Sequence, residues 1–373
     1  MRSHRALGAL LVLAGGLGCA SEPRTSGPLS EEPSPDAPPA TPTSVDAKAP
    51  SAPADTSAPS MDPGGEQPVP PKDAGSPTAG PDTPPAAGSG EGDETPDRPL
   101  NVDKSNPQTY TFKFKPSEAD PMASARDETQ TAIFNSGAPR IQGKLVVTLS
   151  GVGGAPGPLG VTSYVASLGF HAFAVAYLNS INPSTQNDPK FFGDMRFEQF
   201  DGTDRTKAFA VARPDCVEVR VAKALAYLQM KNPQGDWGYY LKKDGSVRWS
   251  DVVFMGHSHG ASSAAAYGHL KRLWRAISLS GPRDTRPVVA AWLTSPSPTP
   301  IDRYFGFTGS GDAQFGDHQK AMEAAGYVGT LTDVEGAQPP YGGSHRLKYS
   351  GGHGGSADCR HYDAVCKYML GAQ

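Results

Sequence analysis

The chain is 373 residues long, with 43 Gly, 37 Pro and a formal net charge of -4. Residues 22–104 hold 15 Asp/Glu against 5 Lys/Arg, a balance of -10, and residues 105–373 hold 23 against 27, a balance of +4. No aromatic residue precedes Tyr110, so the first hundred residues cannot bury a core, whereas the remainder can do so as one domain. Its weak, scattered positive charge gives no reason to propose nucleic acid as a partner.

Arg2 and Arg5 precede an apolar run from Ala6 to Leu17, followed by small residues. That run is too short to span a bilayer and fits the core of a secretory signal over residues 1–19. Cys19, in Leu17-Gly18-Cys19-Ala20, resembles the lipidated cysteine of bacterial lipoproteins, with Gly16 where that pattern prefers leucine. An ordinary signal cut after Ala20 is the alternative. Both imply export, the first to an outer membrane or cell surface through a lipid anchor, the second to the medium. Residues 20–104 are rich in Pro, Ala, Ser, Gly, Thr and acidic residues without apolar periodicity, and read as a solvated linker. A flexible coil of about 80 residues has a root-mean-square reach of roughly 50 Å, enough to hold a domain clear of a membrane.

The folded part, residues 105–373, begins with Tyr110 to Lys115, whose alternation of apolar and polar residues predicts an edge strand paired with Thr131 to Asn135. Lys144 to Leu149 predicts the first buried strand, left through Ser150-Gly151-Val152-Gly153-Gly154. A short helix over Val161 to Leu168 and a strand over His171 to Tyr177 follow. Pro214 to Met230 predicts an amphipathic helix with Val217, Val221, Leu225 and Leu228 on one face. Further strands are expected at Arg275 to Leu279, Arg303 to Thr308 and Arg346 to Tyr349, with a helix at His318 to Ala325. Strands alternating with helices predict an α/β fold with a doubly wound, mostly parallel sheet.

The most informative stretch is Asp251 to Gly260, DVVFMGHSHG. Val252 to Met255 read as a buried strand, Gly256-His257-Ser258-His259-Gly260 as a turn, and Ala261 to Leu270 as a helix. Strand, G-x-S-x-G, helix is the layout of a nucleophile elbow. A strand that turns straight into a helix strains its serine, and side chains at the flanking glycines would collide with backbone. The turn lifts Ser258 to the carboxyl edge of the sheet, beneath helical N–H groups that can stabilise an oxyanion.

From about Tyr110 to the end, the chain resembles the α/β-hydrolase superfamily, of serine esterase and lipase type. The resemblance rests on GHSHG in its context, the glycine-rich loop after Leu149, an Asp after a later strand and a His near the C-terminus, in the order Ser, Asp, His. Histidines on both sides of the serine depart from the common elbow. The resemblance implies a Ser258–His353–Asp312 triad. His353, in the bare loop Ser350-Gly351-Gly352-His353-Gly354-Gly355, follows the last strand, whereas His345 precedes it and His361 belongs to the final helix. Asp312, in Gly309-Ser310-Gly311-Asp312, follows the usual donor strand; Asp317 and Asp284 are alternatives. The oxyanion hole would use the backbone N–H of His259 and of Val152, with Gly151 next in line.

His257 and His259 also form an H-x-H, but a turn sends the two rings apart and no acidic or cysteine partner follows at useful spacing, so neither a metal nor a cofactor is called for. With Cys19 lipidated or removed, Cys216, Cys359 and Cys366 remain, and one must stay unpaired. Cys359 and Cys366 can pair only if Cys359 precedes the last helix, since on one helix their rise alone is about 10 Å; a half-cystine is the expected state of Cys216. The insertion Leu178 to Arg213 carries Phe191, Phe192, Phe197, Phe200 and Phe209. It predicts either an apolar wall for an acyl or aryl group or a folded excursion with its own small core. The function these readings imply is an exported serine hydrolase acting on small-molecule or lipid-like esters. The alternatives are a serine peptidase and a surface lipoprotein that uses the scaffold for binding alone.

Overall fold

The structure, a computed structural model, describes residues 94–180, 187–208 and 210–372. The expected secretory signal, Cys19, most of the expected linker and Phe209 lie outside the described residues.

The sheet is entered through an antiparallel corner. β1 (Thr109–Phe114) pairs with β2 (Gln130–Asn135) across α1 (Pro116–Ala119), and β2 pairs with β4 (His171–Ala174). Alternation in β1 leaves one side solvated, as expected of an edge. From there every pairing is parallel. β3 (Leu145–Leu149) lies between β4 and β5 (Val252–His257), followed by β6 (Arg275–Leu279), β7 (Tyr304–Gly309), β9 (Arg346–Tyr349) and the two-residue β8 (Thr332–Asp333). The nine described strands run in the order β1-β2-β4-β3-β5-β6-β7-β9-β8. This is the doubly wound, mostly parallel α/β sheet expected from the alternation of strands and helices.

Both faces of that sheet are covered. On β3, Leu145, Val147 and Leu149 turn to one core, shared with α3 (Phe191–Asp201), α4 (Val217–Lys231), α5 (His259–Tyr267) and α6 (Phe315–Ala324). Val146 turns to the other core, shared with α2 (Leu159–Ser167) and α7 (Asp363–Leu370). The period of two in the strand thus feeds two separate apolar layers. In α4 the predicted stripe of Val217, Val221, Leu225 and Leu228 is at most 1 % exposed, each burial contributing about 1.5–3 kcal/mol.

Three expectations are corrected here. Residues 94–104, linker by composition, are bonded to the domain: Arg98 forms a two-pronged pair with Asp236, Asn101 N–H donates to the same carboxylate at 2.7 Å, and Lys242 pairs with Glu94 at 2.8 Å. Of the two readings of the insertion, its packing favours the folded excursion, joined to the main core instead of having its own. Phe192 and Phe200 belong to the main core, Phe200 against Trp249 and Tyr267, while Glu198 accepts the N–H groups of Arg205, Thr206 and Val211 and folds the insertion on itself. Cys359 does precede α7 and pairs with Cys366 at a Cα separation of 5.6 Å, so Cys216 stands as a buried free thiol and not a half-cystine.

Candidate active site

The turn from β5 to α5 has the strain the pentapeptide predicts. Ser258 has φ 58° and ψ -116°, a left-handed region that costs a non-glycine residue of order 1–3 kcal/mol. A Cβ at Gly256 would fall on the carbonyl of Gly260, and a Cβ at Gly260 on the carbonyls of Leu149 and Ser150. Both glycines are therefore demanded by close backbone approach. Ser258 is half-buried and its N–H is held by Leu279 O at 2.9 Å, which leaves its side chain at the carboxyl edge of the sheet.

The loop after β3 meets this serine. A Cβ on Gly151 would stand 3.4 Å from Ser258 Cβ and 3.8 Å from its Oγ. Val152 follows, 48 % exposed, and among the described residues its N–H has no backbone partner, whereas the next N–H, of Gly153, donates to Asn179 O at 2.9 Å. Asn179 was not singled out in the sequence. It is fully buried just past β4, and its Nδ2 donates to Ser150 Oγ, Gly151 O and Gly154 O at 2.9, 2.7 and 3.0 Å. Tyr177 Oη donates to Ser150 O at 2.7 Å. Two residues of one strand end thus fix the whole glycine loop.

His353 and Asp312 come together from the loops after β9 and β7. His353 Nδ1 donates to Asp312 Oδ2 at 2.5 Å, while Asp312 Oδ1 accepts from Gln314 N–H at 2.8 Å. Burial pulls the Asp312 carboxyl up, but these bonds outweigh it and hold it below its ordinary range. Gly311 N–H donates to Gly351 O at 3.0 Å, so the two loops are also tied directly. The carbonyl of His353 accepts from His257 Nε2 at 3.0 Å and from Ser280 Oγ at 2.6 Å, which seats it beside the residue that precedes Ser258. Burial depresses the His257 pKa, consistent with a neutral ring whose Nε2–H is that donor. Ser258 Oγ itself makes no hydrogen bond among the described residues; such contacts often tighten only when substrate is bound.

The other candidates go elsewhere. Asp284 is clasped by Arg196, Nε at 2.5 Å and Nη2 at 2.7 Å, and by Trp292 Nε1 at 3.0 Å. Asp317 pairs with Arg286 at 2.7 Å and Arg283 at 3.6 Å. His345 bonds Tyr304 O at the far end of β7, and the exposed His361 lies against Tyr362 in the turn before α7, not on the helix as expected. His257 and His259 do point apart. His259 is buried under the first turn of α5, its Nε2 3.2 Å from Gln199 Nε2, and burial foremost holds its pKa well below the ordinary value. Arg196 Nη1 donates to His259 O at 3.1 Å and to Ser263 Oγ at 2.8 Å, so the insertion helix α3 braces the residue after the serine. No group of three or more His, Cys, Asp or Glu able to hold a metal occurs among the described residues.

No family model and no curated protein matches the chain. Among solved structures it is similar to esterase B from Lactobacillus rhamnosis with a tributyrin phosphonate, at 11 % identity over 71 % of this chain and 84 % of that one, TM-score 0.40. It is also similar to an S-formylglutathione hydrolase from Agrobacterium tumefaciens, at 11 % identity over 75 % and 99 %, TM-score 0.39. A feruloyl esterase module from Clostridium thermocellum with sinapinate gives 12 % identity over 74 % and 92 %, TM-score 0.35. Likeness at this level assigns no chemistry, and the site has to carry that argument itself.

Proposed function

We propose that the protein is a serine hydrolase that cleaves carboxylic esters through an acyl-enzyme on Ser258. The observation that carries this reading is the Asp312–His353 pair lodged against the strained Ser258 turn. A serine hydroxyl is a weak nucleophile until a base takes its proton, and His353, half-exposed and seated by its carbonyl against His257, the residue before Ser258, is assigned that role. As Ser258 Oγ bonds to the ester carbon, the proton passes to His353 Nε2 and Asp312 stabilises the imidazolium that results. The carbonyl oxygen, now negative, receives the N–H groups of His259 and Val152. Collapse expels the alcohol, which takes the proton from His353; water then enters by the same route and releases the acid.

A panel of p-nitrophenyl esters of increasing acyl length, run beside a peptide substrate, tests the reading. Ester turnover that disappears in Ser258→Ala is the expected result. Turnover of the peptide alone would replace it with a peptidase, and neither turnover nor fluorophosphonate labelling of folded protein would leave only a binding scaffold. Export as a lipoprotein on Cys19 belongs to the same proposal. The Cys359–Cys366 disulfide supports an oxidising compartment, and palmitate incorporation lost in Cys19→Ala is its test.

A further inference from the structure

The scheme above leaves His318 without a task. It lies in the first turns of α6, fully buried beneath the acid loop. Its Nδ1 is 2.7 Å from Thr308 Oγ1 and 3.8 Å from Asp312 Oδ2, the oxygen that also receives His353. Its ring centre is 6.3 Å from that of His353. Nε2, on the opposite side, is buried with no partner.

That arrangement is costly unless it serves something. An apolar side chain would fill the space without an orphaned polar atom, and such orphans call for an explanation. Burial foremost lowers the His318 pKa to about 4, so the ring is neutral near pH 7 and its one proton must sit on Nδ1 or Nε2. On Nε2 it would be a buried donor facing no acceptor, while the bare Nδ1 lone pair would confront the Asp312 carboxylate. On Nδ1 it reaches Thr308 Oγ1 and turns the positive end of the ring dipole toward Asp312. Thr308 Oγ1 can serve Nδ1 in either tautomer and Nε2 lacks a partner in both, so the Asp312 charge decides for the second. His353 and Arg283, which disfavour a charge on the ring, and Asp317, which favours one, are the other groups that act on it.

We propose that His318 is a positioning residue: with its Nδ1–H on Thr308, the positive edge of its ring stands 3.8 Å from Asp312 Oδ2 and favours the ionised carboxylate in the rotamer that receives His353. The inference rests on the triad reading of the site, and it adds a fourth member that never meets substrate. Its effect passes wholly through Asp312, which separates it from a packing role.

The test is a double-mutant cycle read by kcat and KM on a p-nitrophenyl ester, by melting temperature, and by the low-field proton resonance of His353 Nδ1–H. H318L is expected to lower kcat at least about tenfold with KM nearly unchanged, and to cost less than about twofold in a D312N background. H318N, whose amide can stand near Nδ1, should regain most of that loss, and H318Q, whose amide reaches toward Nε2, should not. The resonance should shift in H318L and H318Q and stay in H318N. An equal loss from H318L in both backgrounds, or equal behaviour of the Asn and Gln variants, would overturn the proposal, and that second comparison stands even if H318L does not fold. If the wild type turns over no ester, the hydrolase reading fails on its own. The resonance still decides the coupling of His318 to Asp312, and a signal unmoved in every variant would sink it.

Discussion

The serine end and the histidine end of the site are held in opposite ways. Ser258 is set by backbone: a positive φ, two glycines at which a Cβ would strike carbonyl oxygens, and the start of α5. His353 is set by side chains from three other segments: Asp312 on its ring, and His257 and Ser280 on its carbonyl. A conformation imposed by neighbouring residues survives only if those residues are small, so it writes itself into a short motif. A position imposed through space can be met by many residue types at many places in the chain. The first kind of constraint is rigid and easily recognised; the second is adjustable and is recognised only once the fold is known.

Substitutions that act on one end alone break this contrast, and the largest effect belongs to the serine. Ser258→Ala is expected to lower kcat by about 10⁴–10⁶ with the melting temperature unchanged, since the side chain belongs to the site and not the core. Asp312→Asn removes the partner of the His353 ring and should cost at least 10²-fold, up to about 10⁴, again with little change in melting. Asp284→Asn is the counter-experiment. It strands the buried Arg196 guanidinium and should destabilise the fold by about 3–5 kcal/mol in a urea titration, while the folded fraction keeps the Asp312–His353 pair. If Asp284→Asn were instead crippling at full stability and Asp312→Asn mild, the acid assignment would be wrong.

Asn179→Ala sharpens the contrast, because the loop after β3 has glycine backbone like the serine turn yet hangs on the side chains of Asn179 and Tyr177. Loss of three hydrogen bonds should loosen the Val152 N–H and reduce kcat about 10²-fold, with KM less affected. Acid should act on the fold as a whole. Burial lowers His171 and His269 to about 4, as it does His318, whereas in the unfolded chain they titrate at about 6.5. Below that pH the unfolded state takes up protons that the folded state refuses. Stability is therefore full above pH 6.5 and declines toward pH 4, with His259, held well below its ordinary value, adding to these three in the slope of urea midpoints taken at several pH values. The smallest effect concerns the entry segment. A chain beginning at Ser105 should melt a few degrees below one beginning at Glu94, because the Arg98–Asp236 pair is half-exposed and contributes about 1 kcal/mol.

How much of this was legible follows the same division. The sheet was readable because buried parallel strands are uniformly apolar and α4 carries a stripe of period 3.6, and the serine turn because its glycines are obligatory. Asp312 could be ranked above Asp284 and Asp317 only by its place after β7; the arginines that occupy the other two come from remote segments, and no spacing announces them. Asn179 and His318 left no trace, since a lone Asn past a strand and a lone His in a helix are ordinary residues until their surroundings are known. The insertion misled because phenylalanine is equally at home in a pocket wall and in a core. Residues 94–104 misled because proline and charge read as solvated even where ion pairs fasten them.

Selection on the site would act on the insertion helix α3 through its brace on the residue after Ser258. Arg196 restricts how that selection can proceed. Its guanidinium and the Asp284 carboxylate are 2 % and 3 % exposed, and one of its nitrogens also holds the residue after Ser258. A change at either position alone leaves an uncompensated charge in the core, whereas a joint replacement by apolar residues of similar volume can be neutral or better for stability. Each single step is thus a fitness valley, and divergence of this segment must pass through paired substitutions or leave α3 fixed and vary only the loops around it.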